Sequence, residues 1–524
     1  MRISRRSIVF ACALAAASSF VRPAAANGRF PRAQRLKELP KDPASLVLSA
    51  TYGLLITKDR GKSWYLACER SLFGRAIGPL DYIDPLLELL PSGTILSGSA
   101  HALRVSRDEG CTFTSDAALP IDPSFLDSMV LNDKGSVIDI SLETAKGDKA
   151  AVALVTTADA KGLPSSFQVY ETTDEAATWK AIGQPIPKDL VANVITIDVA
   201  PSDANRIYVT AAGKSGSAVL LTSRDAGQSW TSSEIPGADD SYGVYIAAVS
   251  PTNPDVVYAR ADRWTDDPDT GGQAGDDSLY QTNDAGGAWT ETLRKKAKLL
   301  GFTLSPDGKT VLAGFGDPVM PDGRYVEETD MGIYRSAAAA NSFEKIFDAS
   351  ITCLTWNATG VYACASQPHD GFQLAFAANA DFTLASTSAL MPLLKLPEVR
   401  GPLPWAPGKT GDVCVADWLG TADVPGTCSP LSACPDGGYT QGAGPPLCGG
   451  TPIGGGTGAG GSTGAGGSTG TGGASDAGTS GAPAESSSCS CRTPGARASA
   501  FPALPALALG GLAWSRRRRR RVRV

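Results

Sequence analysis

An eight-residue motif recurs along the chain and constrains the fold more than any other feature. Its fullest copy, at residues 223–230, has the pattern Ser-x-Asp-x-Gly-x-Ser-Trp, and close copies lie at 57–64, 106–113, 172–179 and 282–289. In such a pattern the Asp side chain bonds amides of its own turn, the Gly accepts a positive φ, and the terminal aromatic packs beneath the next strand. Each copy therefore predicts a turn between two strands of a hairpin.

The copies recur every roughly 40–65 residues, which is the length of one propeller blade. Two degenerate copies, at 336–343 and more faintly at 376–382, keep only the spacing. Counting both predicts an all-β, seven-bladed β-propeller, and leaving out the last one gives six blades as the alternative. We expect structural roles for Asp59, Gly61, Trp64, Asp108, Gly110, Phe113, Asp174, Trp179, Asp225, Gly227, Trp230, Asp284, Gly286 and Trp289.

The motif resembles the Asp-box, or BNR, repeat of sialidases, sortilin-type receptors and photosystem-assembly propellers. The resemblance covers about residues 46–396, within a propeller domain that we predict at 27–396. It implies that each box lies at the turn between the third and fourth strands of a blade and is structural. It says little about function.

Strand parity locates a candidate working face, since alternate loops of an antiparallel blade emerge on opposite faces. The longest loops predicted opposite the boxes are 261–277 and 316–330, which are acidic and rich in Gly and Pro. They form either a lip that binds a sugar, a basic partner or Ca²⁺ through oxygen ligands, or simply solvated loops without EF-hand spacing. The candidate ligand-binding residues are Arg263, Trp264, Asp266, Asp267, Arg324 and Tyr325.

The sequence assigns no catalytic residue. The sialidase resemblance implies an arginine triad, a Tyr/Glu pair, an acid Asp and an early Phe/Tyr-Arg-Ile-Pro stretch, but residues 29–32 read Arg-Phe-Pro-Arg. No carboxylate pair stands out for glycoside hydrolysis, and two histidines give little material for a metal site or a triad. We therefore predict a binding module for a protein, peptide or glycan, without a cofactor unless Ca²⁺ binds; a sialidase-like glycoside hydrolase and a structural envelope protein are the alternatives.

The charge distribution argues against a nucleic-acid partner. The formal net charge is −6, but seven Arg lie in the last nine residues and four in the first 26. Without these 11, 36 basic residues face 53 acidic ones, a net charge of about −17 for the rest of the chain.

Residues 1–26 form a predicted secretion signal, with a basic start, an apolar run at 8–20 and Ala-Ala-Ala at 24–26. Residues 4–9 also resemble a twin-arginine signal, so both export routes stay open.

Cysteine usage fits export, because eight of the 11 cysteines remain outside the signal and the tail. A hairpin with its loop at 357–360 would place Cys353 opposite Cys364 at a spacing that suits a disulfide. A bond between Cys68 and Cys111 would tie neighbouring blades. The last four, Cys414, Cys428, Cys434 and Cys448, have three connectivities and predict a stapled, loop-rich segment at 397–448.

The C-terminal part has the composition of a tether followed by a sorting segment. Residues 449–488 are Gly, Ser, Thr and Ala in the main and cannot build a core. Residues 489–524 contain Cys-Ser-Cys-Arg, an apolar stretch at 500–514 and six consecutive Arg. This segment resembles the MYXO-CTERM signal of myxobacterial exported proteins, which implies cleavage by a membrane sorting protease at Cys489 or Cys491 and display on the cell surface or outer membrane, or release. An uncut membrane anchor is the alternative.

Overall fold

The computed structural model describes residues 33–39, 41–73, 86–99, 102–115, 137–144, 147, 150–158, 164–239, 243–262, 264–266, 273–316, 328–377, 391–395, 399–402 and 414. All of these belong to the first of two compact units of the chain, Met1–Gly464. The predicted signal, the linker and the sorting segment with Cys489 and Cys491 lie outside the described residues. Among the described residues, no helix is long and apolar enough to cross a membrane.

The described strands form seven blades, each built on an antiparallel sheet of four strands in sequence order; blade 1 gains a fifth strand, and a two-stranded hairpin is inserted in blade 5. Blade 1 contains β1 (Ala33–Leu39), β2 (Asp42–Ala50), β3 (Gly53–Thr57) and β4 (Trp64–Cys68). Blade 2 contains β5 (Leu86–Leu89), β6 (Ile95–Ser99), β7 (Ala102–Ser106) and β8 (Thr114–Ser115). Blade 3 contains β9 (Val137–Thr144), β10 (Ala151–Ala158), β11 (Pro164–Thr172) and β12 (Lys180–Ile182). Blade 4 contains β13 (Val191–Val199), β14 (Ile207–Gly213), β15 (Ser217–Ser223) and β16 (Thr231–Asp239).

The remaining blades follow the same order, with one insertion. Blade 5 contains β17 (Val244–Val249), β18 (Val257–Ala261), β21 (Asp277–Thr282) and β22 (Thr290–Lys295), and the hairpin β19 (Trp264–Asp266) and β20 (Gln273–Gly275) lies between its middle strands. Blade 6 contains β23 (Lys298–Leu304), β24 (Thr310–Gly316), β25 (Gly332–Ala337) and β26 (Glu344–Phe347). Blade 7 contains β27 (Ile351–Asn357), β28 (Gly360–Ala365), β29 (Leu374–Ala377) and β30 (Met391–Leu394). The helices are short: Glu69–Phe73, the 3-10 turn Glu328–Asp330, and Gln367–Asp370.

The blades close into a ring, which confirms seven rather than six. The first strands of the blades contact one another in sequence order, and β27 of blade 7 contacts β1 of blade 1. Apolar side chains of the described residues form seven clusters, and each cluster joins two neighbouring blades, including blades 7 and 1. The hydrophobic core of this fold is therefore distributed over the interfaces between blades, since each sheet buries both of its faces.

The first strand of each blade lies nearest the centre of the ring and is called its inner strand. Threonine hydroxyls link the inner strands of neighbouring blades, which do not share a hydrogen-bonded ladder. Thr196 Oγ1 accepts a hydrogen bond from the amide of Ile246 in the next blade (3.0 Å). Thr303 Oγ1 accepts one from the amide of Trp356 (3.1 Å), and Thr355 donates to the carbonyl of Leu36 (3.1 Å). These bonds satisfy backbone groups that face the narrow centre of the ring.

The five full copies of the motif are turns between the third and fourth strands of blades 1 to 5, as predicted. At 172–179, the Thr172 hydroxyl donates to Asp174 (2.9 Å) and accepts from the amide of Ala176 (3.0 Å), while Asp174 accepts from the amide of Thr178 (2.9 Å). The same bonds recur in the other copies. The fourth and fifth residues of each copy have positive φ, which Gly61, Gly110, Gly227 and Gly286 adopt without strain.

These bonds hold the motif aspartates in their charged form and predict a loss of stability in acid. The hydroxyl and amide of Thr178 lower the pKa of Asp174 to about 2, and Ser229 likewise lowers the pKa of Asp225. A lowered folded-state pKa stabilises the fold above the unfolded carboxyl value of about 3.9, and this stabilisation is lost as the pH falls through the folded value. We expect the melting temperature to fall between pH 4 and pH 2, with a shallower fall in Asp174→Asn/Asp225→Asn. Equal slopes for the two proteins would contradict this account.

The motif aromatics all pack against the apolar clusters between blades, as expected, but they are not equally buried. Trp64 is 1% exposed and its indole donates to the carbonyl of Gly61 (3.0 Å), whereas Trp230 is only partly buried. The difference arises because β31 (Val399–Pro402) lies in parallel along β4, with Val399 beside Trp64. No other blade has a fifth strand among the described residues.

This difference gives a paired prediction. Trp64→Ala removes a fully buried indole and should lower the free energy of unfolding by about 3–5 kcal/mol. Trp230→Ala removes a partly exposed one and should cost less than half as much. Denaturant unfolding of both variants measures the two values, and equal losses would contradict the packing described here.

The C-terminal part of the described chain belongs to blade 1 rather than to a separate cysteine-stapled segment. Strand β31 adds to the outer edge of that blade, and Cys414 is bonded to Cys68 at the end of β4. The prediction that Cys68 pairs with Cys111 is therefore wrong, and so is the prediction that Cys414 pairs within the last four cysteines. Cys111 is itself disulfide-bonded. Cys428, Cys434 and Cys448 lie outside the described residues.

The disulfide between Cys353 and Cys364 lies where the predicted register places it. The two residues are directly opposed in the β27–β28 hairpin, as are Trp356 and Val361. The turn is tighter than the predicted four-residue loop, because Asn357 pairs with Gly360 and accepts hydrogen bonds from the amides of Thr359 (2.9 Å) and Gly360 (3.1 Å). The bond therefore closes a hairpin within blade 7.

Candidate axial binding site

Strand parity divides the propeller into two faces. One face carries the turns between first and second strands and those between third and fourth strands; we call it the motif face because the eight-residue turns lie there. The other face, which we call the opposite face, carries the turns between second and third strands and the connections between blades. Each inner strand therefore begins at the opposite face and ends at the motif face.

The residues predicted to form a ligand-binding lip belong to the connections between β18 and β21 and between β24 and β25. Trp264 and Asp266 are in β19, where they pair with Gly275 and Gln273 of β20, and their side chains are outside the described set. Arg263, Asp267, Arg324 and Tyr325 lie outside the described residues altogether. Their role in binding stays a prediction.

The first of these loops is held at its base by buried charges. The Lys298 ammonium lies between the carboxylates of Asp262 and Asp277, and both Lys298 and Asp277 are almost fully buried. Asp277 also accepts a hydrogen bond from the amide of Leu299 (2.8 Å). This arrangement ties the loop of blade 5 to the start of the inner strand of blade 6. Removal of one partner would leave a buried charge unpaired, which is costly.

Two further acids of the loops are also used in anchoring. Asp276 forms a bidentate pair with the guanidinium of Arg294, at 2.6 Å for the shortest contact. Asp330, at the end of the second loop, accepts from the amide of Lys296 (2.8 Å) and lies 3.6 Å from the Lys295 ammonium. Some of the acidic residues that predicted a ligand-binding lip therefore hold the loops in place.

A cavity of about 270 Å³ lies among the inner strands. It is bordered by residues of β1, β13, β17, β23 and β27, so it lies on the axis of the ring. Polar lining is provided by Gln34, Arg35, Thr196, Tyr245, Arg260 and Thr355, and apolar lining by Leu300, Phe302 and Leu354. Concave sites with an apolar wall and a few convergent polar groups are typical of ligand-binding pockets.

Arg260 is the distinctive residue of this cavity. Its guanidinium lies 4.5 Å from the centre of the Tyr245 ring and donates to the carbonyl of Leu299. Among the described residues it has no carboxylate partner, whereas Arg206, Arg294 and Arg335 each have one. A partly buried cation that faces a cavity without a counter-charge favours an anionic ligand.

A cluster of charges lies deeper along the axis, towards the motif face. Arg35 and Lys37 of β1 bond the two oxygens of Glu88 at 2.6 and 2.8 Å, and Glu88 is fully buried. Lys37 lies two positions after the cavity-lining Arg35 on β1, and Asp198 lies two positions after the cavity-lining Thr196 on β13, both in regular strand. Lys37 and Asp198 therefore point to the axis, as Arg35 and Thr196 do, about 7 Å further from the cavity. The cluster forms the floor beneath the cavity.

Asp198 has an unusual environment within this cluster. Burial raises its pKa well above the ordinary value, and the negative charges of Glu143 and Glu88 raise it further, against the effect of Lys37 and Arg35. Its carboxylate has no hydrogen bond or ion pair with a described residue. Burial also raises the pKa of Glu88. A carboxyl group in such surroundings holds a proton at higher pH than a solvated one.

No group of three or more His, Cys, Asp or Glu side chains among the described residues could hold a metal ion. The candidate calcium ligands in the tips of the two loops lie outside those residues. A cofactor site is likewise not assigned.

Sequence analysis missed the axial residues. Their signal is a charged residue within an inner strand: Arg35 and Lys37 in AQRLKEL, Glu88 in LLEL, and Asp198 in VANVITIDV. Motif spacing identifies the blades but not which side of each inner strand faces the axis. Only the closed ring shows that these residues, from three different blades, come together.

The fold and the site define a seven-bladed β-propeller with a polar axial cavity. No family model matches the chain, and no curated protein matches it. Among solved structures it is similar to an ancestral GH74 enzyme (15% identity over 67% of this chain and 45% of that one, TM-score 0.45). It is also similar to a PL25 ulvan lyase (11% identity over 69% of this chain and 98% of that one, TM-score 0.41) and to the NanB sialidase of Streptococcus pneumoniae (11% over 58% and 66%, TM-score 0.35). The chain spans less than half of the GH74 enzyme, and likeness at this level carries no argument about activity.

Proposed function

We propose that the protein is a recognition module that binds the acidic end group of a glycan in the axial cavity. The observation that carries this proposal is Arg260, a guanidinium without a carboxylate partner among the described residues that faces the cavity beside Tyr245. Arginine binds carboxylate and sulfate groups in a planar, two-bond geometry, and these bonds are stronger than those between neutral groups.

The rest of the lining favours a sugar over a peptide. Gln34 and Thr355 offer donors and acceptors for hydroxyl groups, and the rings of Tyr245 and Phe302 offer flat apolar faces for the C–H side of a pyranose. The volume of about 270 Å³ suits one terminal residue rather than a long segment. The loops of the opposite face, with Trp264 and Tyr325, would then contact neighbouring residues of the glycan.

A glycan array with the purified protein tests this function. It should contain uronic acid, sialic acid and sulfated termini, the corresponding neutral glycans, and peptides with free carboxyl ends. We expect binding confined to acidic glycans and lost in Arg260→Gln. Binding of peptides instead, or equal binding of neutral glycans, would contradict the assignment.

A glycoside hydrolase is the second candidate, and one observation favours it. Burial raises the pKa of Asp198, the charge of the nearby Glu143 raises it further, and a pair of neighbouring carboxyl groups is the arrangement that glycoside hydrolysis uses. A panel of fluorogenic glycosides tests this candidate. Turnover that Asp198→Asn abolishes would make the protein an enzyme, and absence of turnover with binding intact would leave recognition as the function.

We also propose that this module is exported and displayed on a stalk, as the predicted signal (1–26), linker (449–488) and sorting segment (489–524) imply. Disulfides such as Cys68–Cys414 and Cys353–Cys364 fit an oxidising compartment. Truncation after Ser488 should release the protein into the medium. Retention of the truncated protein at the cell surface would contradict the anchoring role of the tail.

A further inference from the structure

We propose that ligand binding in the axial cavity is coupled to proton uptake by the carboxyl groups beneath it, so that affinity for an anion rises as the pH falls. This inference rests on the proposed function, because it concerns the same cavity. It adds regulation of the site by pH, with Arg35 as the link between the ligand and the acids.

Arg35 belongs to both sites. It lines the cavity, and its Nη1 atom bonds both Glu88 Oε1 (2.6 Å) and the carbonyl of Leu87 (3.2 Å) in the neighbouring blade. An anion in the cavity and the Glu88 carboxylate therefore compete for one guanidinium. Protonation of Glu88 weakens its ion pair with Arg35, and the Arg35 guanidinium then interacts more strongly with the ligand.

The charged groups that act on Asp198 come from three other inner strands, β1, β5 and β9. They are Arg35 and Lys37 of β1, Glu88 of β5 and Glu143 of β9, while Tyr245 of β17 and Arg260 of β18 lie at the cavity above. When Glu88, Glu143 and Asp198 are all ionised, their charge exceeds that of Arg35 and Lys37 by one. A single proton taken up by Asp198 or Glu88 neutralises this excess.

The direction of the coupling follows from charge. An ionised Asp198 repels an anion about 7 Å above it, and protonation removes the repulsion. By linkage, the bound anion raises the proton affinity of the acids by the same factor. The raised pKa of Asp198 means that its proton is taken up above the range of solvated carboxyl groups. For an effective dielectric constant of about 20 and 0.1 M salt, one such charge changes affinity roughly tenfold.

Isothermal titration of the full-length protein with sodium glucuronate, from pH 7.5 to pH 5, tests this inference. Glucuronate stays ionised over this range, and buffers of different ionisation enthalpy report the number of protons taken up. We expect the wild-type affinity to rise about tenfold on acidification, with net proton uptake. Asp198→Asn, which keeps the shape and removes the charge, should bind about tenfold more tightly at pH 7.5 and depend less on pH. Glu143→Gln should act in the same direction, whereas Glu234→Gln, on the exposed part of β16, should match the wild type.

The outcomes separate the two claims. Glucuronate binding without pH dependence or proton uptake would overturn the coupling and leave the proposed function standing. Equal pH dependence in the wild type, Asp198→Asn and Glu143→Gln would overturn the role of these acids. Failure of the wild type to bind glucuronate at any pH would overturn the proposed function and the coupling together.

Discussion

Replacement of Cys68 and Cys414 by serine is expected to lower the free energy of unfolding by roughly 5 kcal/mol, the largest stability effect we predict. The two residues are 346 positions apart, so their bond removes far more freedom from the unfolded chain than a local bridge does. The bond also fixes Cys414 against blade 1, in the apolar cluster that contains Trp64 and residues of blade 7. Denaturant unfolding of the double variant measures the loss.

The Cys353→Ser/Cys364→Ser variant is the matched control. These residues are 11 positions apart, and the same chain-entropy argument gives about 3 kcal/mol. A smaller loss for the long-range pair than for this local pair would show that the bond does not restrain the closure of the ring.

Arg260→Gln is expected to weaken binding of an acidic glycan about a hundredfold, because the neutral amide loses the charge-assisted bonds to the anion. The fold should tolerate the change, since Arg260 is only partly buried and forms no ion pair among the described residues. Titration of both proteins with the best acidic ligand from the array measures the effect.

Arg224→Gln is the control for this substitution. Arg224 lies in a motif turn, on the face away from the loops of blades 5 and 6, and is 59% exposed. Its replacement should leave affinity unchanged. Equal losses in Arg224→Gln and Arg260→Gln would point to a general effect of surface charge rather than to the axial cavity.

Local features of this fold could be predicted from the sequence because they depend on neighbouring residues. The bonds of Asp174 and Asp225 lie within eight-residue turns, and the pairing of Cys353 with Cys364 follows from one hairpin. The number of blades follows from the repeat of those turns, including a copy at 336–343 that has lost its Asp but still joins β25 to β26.

Features that depend on closure of the ring could not be predicted in this way. The pairing of β31 with β4 joins residues more than 330 positions apart, and no local pattern marks residues 399–402 as part of blade 1. The same limit applies to Arg260, which becomes distinctive only because Leu299 and Tyr245 face it and no described carboxylate does. The acidic residues of the long loops predicted a binding lip, but Asp262 and Asp277 form ion pairs with Lys298.

The central claim, that the axial cavity recognises an anionic end group, is tested most directly with a matched pair of ligands. One is an oligosaccharide that ends in a uronic acid, and the other is its uronamide, which has nearly the same shape without the charge. Titration of the wild-type protein should show binding of the acid and binding at least about tenfold weaker for the amide. Equal affinity for the two ligands would show that charge recognition by Arg260 is not the basis of binding.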